Sequence, residues 1–389
     1  MERTAGEWER EAWPIKFLLT SCMLLAMKVV IGVDSGGTHT RALAVTLDGE
    51  RVGYGESGGG NPAHDAASGE NVREAIRLAA QECGIGNVVR VVAGIAGFDY
   101  PDQLPRVIEA TNVEGLTAER VHLNDAEVAH FGAFGGGPGI VTIQGTGSMI
   151  FAVLENGRKV KNAEFMHYAR GGAVNVGIDG IHALLNQQMA WRDEELIQAA
   201  FALWEVDSID ALREALSHQR DLETKERSRR HGEFARAVTA SAAKPGRLHS
   251  IGVVGKAGRE IATGIRLLGS LFESEEVPVA PIGACVRSAA MRKSVERWVG
   301  AARDKRYVFC EPQHPPVVGA VLMALRAEGV AKAALLIEGA SWVVGAGKVT
   351  EAHQELVDDL PAGEPEGALK ELHPRVFGHR MIRVDPRGK

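Results

Sequence analysis

Cysteine is scarce in this chain, and its distribution excludes two common kinds of framework. The four cysteines, Cys22, Cys83, Cys285 and Cys310, lie far apart and form no C-x-x-C pair. Structural zinc sites and disulfide scaffolds both need cysteines at short, paired spacings. We therefore expect neither, and the pattern fits the reducing environment of the cytoplasm.

Positive charge and long apolar segments are also lacking. The formal net charge is -6 at pH 7, and no basic run is interleaved with aromatic residues. Nucleic-acid binding proteins usually carry a basic face, so we expect no nucleic-acid partner. The apolar run at 17–27 is too short to span a bilayer, and acidic residues precede it, unlike a signal peptide. We predict that residues 1–27 are a disordered or poorly anchored extension, and that the protein is soluble, cytoplasmic and without a membrane partner.

The length and the strand pattern predict two lobes. At 389 residues the chain exceeds an ordinary single domain. Apolar runs at 28–33 and 41–47 flank a glycine-rich stretch, and the Asp48-Gly49 turn leads toward a third strand. After the glycine cluster at 135–139 the pattern begins again, with strands at 139–143 and 149–154 around another glycine turn. This repeat indicates an internal duplication.

We interpret the chain as an α/β protein with a boundary near each glycine-rich or irregular stretch. The N-terminal lobe is expected at 28–135, the C-terminal lobe at 136–350 and a loosely packed tail at 351–389. Helical periodicity predicts a mainly helical region at 181–271 and a buried helix at 317–325.

The glycine-rich loop between the first two strands is the most informative stretch of the sequence. It carries Gly36, Gly37, Thr38 and Thr40, and Asp34 stands at the end of the preceding strand. Glycines let backbone N–H groups approach phosphate oxygens, and threonine hydroxyls add donors. A carboxylate in this position is suited to hold Mg²⁺. We interpret the loop as a phosphate site; an ordinary hairpin turn is the alternative.

A second loop offers the same chemistry from the other half of the chain. It contains Gly145, Thr146 and Gly147. Such a turn is weak as a signal when it stands alone. Two such loops that face each other across a cleft would clamp a polyphosphate between two lobes.

Asp125 follows a predicted strand end, where the site residues of α/β sheets collect. In phosphoryl transfer to a hydroxyl, a carboxylate orients the acceptor and takes its proton. Asp125 is therefore our candidate base. The alternative is that Asp125 caps the helix that begins near Ala126.

Five motifs, taken together, resemble one family. They are D-S-G-G-T-H-T-R at 34–41, G-N-P at 60–62, G-I-A-G at 94–97, N-D-A at 124–126 and G-T-G-S at 145–148. Their order and spacing are similar to those of the N-acetylglucosamine kinase group in the BadF/BadG/BcrA/BcrD ATPase family. The resemblance implies a duplicated ribonuclease-H-like fold of the actin-like ATPase superfamily, with ATP and Mg²⁺ in the cleft between the lobes. It is also compatible with a homodimer.

The resemblance implies roles for the residues that match these motifs. Gly36, Gly37 and Thr38 would form the first phosphate loop and Thr146 the second. Asp125 would be the catalytic base and touch the sugar, and Asn61 would bind a sugar hydroxyl.

The resemblance is less complete for the residues that would contact the sugar and the adenosine. Family kinases contact the sugar through a G-G-W-G stretch followed by G-D-E-G, which correspond here to Gly171, Gly172 and Asp179. Ala173 replaces the tryptophan and Gly180 the glutamate, a departure that bears on the identity of the sugar. Gly283 occupies the place of the turn that contacts adenosine, where the family usually has two glycines.

Three functions are weighed from these observations. The favoured one is a kinase that phosphorylates a hydroxyl of a hexosamine or related sugar. A second is an ATPase that drives a partner enzyme, as in relatives that hold an iron–sulfur cluster through paired cysteines. A third is a sugar or nucleotide sensor without turnover, which the altered segment at 171–180 suggests.

Overall fold

The computed structural model describes residues 27–186, 193–218, 224–301 and 305–330, together with the backbone of 341–345 and 348–352. Nearly all of the predicted N-terminal extension and the predicted tail beyond 352 lie outside the described residues. The chain divides into two compact units, Met1–Ala334 and Leu335–Lys389. In the second unit, strand Ser341–Gly345 pairs antiparallel with Lys348–Ala352. The elements described below belong to the first unit.

The first unit contains two five-stranded sheets. The strands of the first sheet are β1 (Val29–Ser35), β2 (His39–Thr46), β3 (Arg51–Gly58), β4 (Val88–Ile95) and β5 (Glu119–Leu123). Those of the second are β6 (Gly139–Gln144), β7 (Ser148–Val153), β8 (Lys159–Lys161), β9 (Glu276–Ile282) and β10 (Arg306–Phe309).

The two sheets share one topology. The first has the order β3-β2-β1-β4-β5 and the second has β8-β7-β6-β9-β10, so each places its own strands in the order 3-2-1-4-5. In both, the first three strands form an antiparallel meander and the fourth and fifth run parallel to the first. The predicted internal duplication is therefore confirmed at the level of topology.

Helices cover and connect the sheets. They are α1 (Ser68–Ala80), α2 (Leu104–Ala110), α3 (Asp125–Phe134), α4 (Ala173–Leu185), α5 (Glu194–Trp204), α6 (Ile209–Ser217), α7 (Thr224–Ala242), α8 (Leu248–Gly269), α9 (Ala284–Arg287), α10 (Ala289–Val299) and α11 (Pro316–Ala327). None of these described helices is long and apolar enough to span a membrane. The mainly helical region thus begins at Ala173, earlier than periodicity indicates.

Close packing at glycine brings the last helix back to the first sheet. A Cβ on Gly32 in β1 would lie 2.4 Å from the backbone N of Val321 in α11, which a real side chain could not tolerate. The helix therefore packs directly on the face of β1 that carries Gly32, while Val29, Ile31 and Val33 are fully buried in the apolar cluster with α1. The predicted lobe boundaries stay predictions, but α11 follows the second sheet in sequence while it packs on the first.

Helix α3 contacts both sheets. Its Val128 lies against Gly94 of β4, where an added Cβ would be 2.2 Å from a Val128 methyl. On another face, Ala126 and Ala133 pack into an apolar cluster with Phe151 of β7. The N-terminus of α3 is consequently placed where elements of the two sheets meet.

Candidate active site

The two glycine loops meet each other. The hydroxyl oxygens of Thr38 and Thr146 are 2.5 Å apart, although the residues are 108 positions apart in sequence. Thr38 follows β1 and Thr146 follows β6, the corresponding strand of the second sheet. The two predicted phosphate loops therefore meet. Each follows the first strand of its own sheet, so the two loops occupy equivalent positions in the duplicated fold.

Thr40 is placed differently from the other residues of its loop. It is fully buried, and its hydroxyl lies 3.0 Å from that of Ser35. The backbone N–H of Gly36 also donates to the carbonyl of His39 at 2.9 Å, which closes the turn. This geometry favours a structural role for Thr40 within the turn over the predicted contact with phosphate.

Two other chain segments approach the backbone of the second loop so closely that they carry glycine at the points of contact. A Cβ on Gly172 would lie 2.5 Å from the carbonyl group of Gly147. A Cβ on Gly283 would lie 2.5 Å from the carbonyl oxygen of Gln144, and its φ of 103° also favours glycine. The N–H of Ala173 donates to the carbonyl of Gly145 at 2.9 Å. The predicted residues Gly145, Gly147, Gly171, Gly172 and Gly283 are therefore neighbours in space.

Asn61 lies beside the first loop. The N–H of Gly60 donates to the carbonyl of Gly36 at 2.9 Å, so the segment that carries Asn61 runs along the loop. The side-chain oxygen of Asn61 accepts from the N–H of Ala63 and faces Gly97, whose φ is 77°. A Cβ on Gly97 would approach that oxygen to 2.8 Å.

Asn124, and not Asp125, caps helix α3. The Asn124 side-chain oxygen accepts from the N–H of Ala126 at 3.0 Å, and Glu127 completes a capping box by accepting from the Asn124 N–H at 3.3 Å. The alternative interpretation of Asp125 as the cap is therefore wrong. Asp125 is the first residue of the helix, and its carboxylate is not needed for the cap.

The carboxyl group of Asp125 has unusual electrostatics. Burial raises its pKa to about 7, and the negative charges of Asp34 and Asp99 act in the same direction. The Ala126 N–H and the Lys161 ammonium oppose this shift. A group that takes a proton near neutral pH works best with a pKa close to that pH. The environment of Asp125 therefore suits a general base.

Asp34 belongs to the same electrostatic cluster. Burial raises its pKa to about 6, against the attraction of Arg41. The charge of Asp34 also raises the pKa of Asp125, and a cation beside the two carboxylates would favour both ionised forms. Magnesium prefers oxygen ligands and keeps several waters or phosphate oxygens in its shell. The residues thus fit Mg²⁺ bound through Asp34, although no group of three or more possible ligands is gathered among the described residues.

Two residues of this cluster were missed at the sequence level. The carboxylate of Asp99 accepts from the Asn124 side-chain amide at 3.1 Å and from the Lys161 ammonium at 2.8 Å. Asp99 follows the G-I-A-G motif by two positions, and that proximity could have indicated it. Lys161 lies in a short edge strand with no motif near it, so only the fold shows that it is close.

Asp179 lies in a different neighbourhood. Its carboxylate is 2.9 Å from the Lys256 ammonium and 3.8 Å from the guanidinium of Arg170. It lines a groove of about 310 Å³ between α4 and α8, with His182, Ala183, Asn186, Leu248, His249, Gly252, Val253 and Lys256. The predicted contact of Asp179 with a sugar stays a prediction.

The repeated strand order, with a glycine turn after the first strand of each sheet, defines the class of the protein. It has the duplicated ribonuclease-H-like fold of the actin-like ATPases, as the sequence predicts. Residues 31–324 match the BadF/BadG/BcrA/BcrD ATPase family, and the chain belongs to this family.

Comparisons with individual proteins agree with this assignment. An N-acetylmuramic acid/N-acetylglucosamine kinase of Clostridium acetobutylicum is 27% identical over 168 residues, which are 41% of this chain and 54% of the relative. The match thus spans about half the length of that protein. A structure named as an N-acetylglucosamine kinase from Chromobacterium violaceum has a TM-score of 0.58 at 20% identity and covers 77% of this chain and 99% of its own. A second from Porphyromonas gingivalis has a TM-score of 0.57 at 18% identity, with coverages of 78% and 100%. At these identities the two structures establish the fold.

Proposed function

We propose that this chain is an ATP-dependent kinase that transfers the γ-phosphoryl group to a hydroxyl of a sugar or amino sugar. The observation that carries the proposal is the carboxyl of Asp125. It lies at the start of α3, within electrostatic reach of Asp34, and its pKa is raised to about 7. A carboxyl with this pKa can accept the proton of a hydroxyl at neutral pH.

In the proposed reaction, an oxygen of the sugar attacks the γ-phosphorus and the bond to the bridging oxygen of ADP breaks. Asp125 accepts the hydroxyl proton, so charge and atoms balance. Backbone N–H groups of Gly36, Gly37 and the second loop, with the hydroxyls of Thr38 and Thr146, would hold the phosphate oxygens. When bound at Asp34, Mg²⁺ supplies positive charge that offsets the phosphates.

An amino sugar is the substrate class we favour. The Clostridium relative is named for N-acetylmuramic acid and N-acetylglucosamine, which supports an N-acetylglucosamine-like or glucosamine-like acceptor. Asn61 stands beside the first loop and would bind a sugar hydroxyl, as the family resemblance implies. Gly171 and Gly172 adjoin the second loop and would line the same cleft.

The partner-driving ATPase is less well supported. That activity in the family relies on cysteines that hold an iron–sulfur cluster. Here Cys83 and Cys285 are buried, and burial raises the pKa of both thiols, that of Cys285 to about 11. Cys83 and Cys285 also lie in two different apolar clusters of the fold, so they do not form the paired arrangement that an iron–sulfur cluster needs. A sensor without turnover would not need the environment that raises the pKa of Asp125.

Release of ADP tests the proposal directly. The protein with Mg-ATP would be assayed against a panel of sugars and amino sugars, with Asp125→Asn as the inactive control. We expect sugar-dependent ADP release in the wild type and a loss of about 10²- to 10⁴-fold in the variant. Sugar-independent hydrolysis, or ATP binding without turnover, would instead favour the partner-driving ATPase or the sensor. The cytoplasmic location and the homodimer stay predictions.

A further inference from the structure

Two lysines of the edge strand β8 contact carboxylates beside the N-terminus of α3. The ammonium of Lys159 lies 2.5 Å from a carboxylate oxygen of Glu127, and that of Lys161 lies 2.8 Å from one of Asp99. Val160 between them is fully buried. Because side chains alternate along a strand, the two lysines share the opposite face, from which Lys159 reaches α3 and Lys161 reaches Asp99.

The carboxylates that these lysines contact are the two that hold Asn124. Asp99 accepts from the Asn124 side-chain amide at 3.1 Å through the same oxygen that meets Lys161. Glu127 accepts from the Asn124 backbone N–H at 3.3 Å through its other oxygen. Asn124 in turn caps α3, and Asp125 is the next residue.

We propose that Lys159 and Lys161 are positioning residues, which fix the cap of α3 through Glu127 and Asp99 and so aim Asp125 at the acceptor hydroxyl. We call this arrangement of Lys159, Lys161, Asp99, Glu127 and Asn124 the β8 clamp. Its catalytic consequence rests on the proposed function, whereas its geometry does not.

The alternative is that both contacts are ordinary surface ion pairs. Exposed pairs contribute little, because solvent screens them and holding two long side chains costs entropy. The β8 clamp differs in that each carboxylate is also held by Asn124. Through these contacts, Asp99 and Glu127 link β8, a strand of the second sheet, to the N-terminus of α3, which lies beside the first sheet.

The charges of the clamp also reach the carboxylate of Asp125. Lys161 lowers the pKa of Asp125, while Asp99 and Asp34 raise it. Loss of Lys161 would thus disturb both the direction and the charge state of Asp125.

Steady-state kinetics of Lys161→Met tests the proposal. We expect kcat to fall about tenfold, because small displacements of a reacting group are costly, with the KM for ATP within about twofold of the wild type. Lys161→Arg should recover most of the activity, since a guanidinium can also donate to Asp99. The double variant with Asp99→Asn should be no worse than the poorer single variant, as expected for residues of one network.

Lys244→Met is the matched control. It removes an exposed ion pair with Glu195, remote in sequence from α3 and its capping box, and should leave kcat unchanged. A wild-type kcat in Lys161→Met would overturn the proposal. A Lys161→Arg variant whose kcat is as low as that of Lys161→Met would also overturn it. So would a kcat of Lys161→Met equal to that of the Lys244→Met control.

Hydrogen exchange provides a measurement that does not depend on activity. In the Lys159→Met, Lys161→Met double variant, amides in the first turn of α3 should exchange faster, because their cap is released. Amides of α10 (Ala289–Val299) should exchange as in the wild type. If the exchange changes but no sugar is phosphorylated, the clamp stands and the proposed function fails. If the exchange in α3 is unchanged, the clamp is wrong, whatever the enzyme does.

Discussion

At the scale of single residues, Asn124 and Asp125 divide two tasks between neighbouring side chains. Asn124 satisfies the free N–H groups at the start of α3, which every helix must have satisfied. Asp125 is then not required for capping, and its carboxyl is left among other acidic groups in a partly buried place. Such an arrangement stabilises the protonated form of the Asp125 carboxyl. Ionisation of this carboxyl therefore lowers the stability of the folded protein.

This arrangement predicts that Asp125→Asn stabilises the protein at alkaline pH. The folded-state pKa of Asp125, about 7, exceeds the value of about 4 expected in the unfolded chain. Between these values the folded state binds more protons, so wild-type stability decreases as pH rises. The variant should therefore have a higher Tm than the wild type at pH 8; the difference should be clearly smaller at pH 5 and nearly vanish only below about pH 4.

Thermal unfolding at several pH values provides the measurement. Asp48→Asn, at an exposed turn, is the control and should show no pH-dependent difference from the wild type. A Tm difference for Asp125→Asn that is the same at pH 5 and pH 8 would contradict the assigned pKa.

At the scale of elements, the loop after β6 is shaped by the N-terminus of α4. Gly172 lies so close to Gly147 that only glycine fits between the two segments. Gly145, in contrast, has open space where a Cβ would be, with no atom within 4 Å. Gly172 is thus required by the packing of the fold, while Gly145 leaves a space that a phosphate could occupy.

Alanine substitutions separate these two needs. Gly172→Ala should lower the Tm, because a backbone group stands 2.5 Å from the new methyl. Gly145→Ala should leave the Tm unchanged but raise the KM for ATP about tenfold, because the methyl blocks the approach of phosphate to the backbone. Gly255→Ala in α8, also in open space, should leave the KM for ATP unchanged and raise the Tm slightly, because alanine favours a helix interior more than glycine does. A Gly145→Ala variant with a wild-type KM would remove this loop from the proposed phosphate site.

At the scale of the whole molecule, a third contact joins elements of the first sheet to the helical part of the second. Asp65 follows the Asn61 turn and is buried, and its carboxylate lies 2.7 Å from the ammonium of Lys225 in α7. Burial opposes ionisation of Asp65, but hydrogen bonds from Lys225, the Ala67 N–H and Asn71 outweigh it and lower its pKa. With the Thr38 contact and the β8 clamp, this pair links the halves of the duplicated fold.

Loss of the Lys225 ammonium should therefore destabilise the protein at neutral pH. A group with a lowered pKa contributes stability above its unfolded-state pKa, and that contribution disappears as pH falls through the folded-state pKa. Lys225→Met should lower the Tm by a few degrees at pH 7, and the difference should shrink only as the pH falls below about 4, the unfolded-state pKa of an aspartate. Lys225→Arg is the control and should behave as the wild type. An equal loss of Tm in both variants, or one that grows in acid, would show that the pair does not act electrostatically.

Much of the fold follows from the sequence itself. The strands around both glycine loops are predicted correctly to within a few residues, because apolar runs and glycine turns act locally. After Gly283 the chain forms two helices, α9 and α10, because Ser288 adopts an extended conformation between them, a break that helical periodicity does not indicate. The short strand β10 was missed, since four residues at a sheet edge carry little pattern.

The sequence by itself indicated the two loops, the candidate base and the repeated strand pattern, since each strand and turn signal is carried by residues that are neighbours in the chain. Only the tertiary structure decided that α11 returns to the first sheet and that Lys161 meets Asp99. Both outcomes depend on distances between segments far apart in sequence. Such distances are set by the packing of the two sheets and helix α3, which no local pattern encodes.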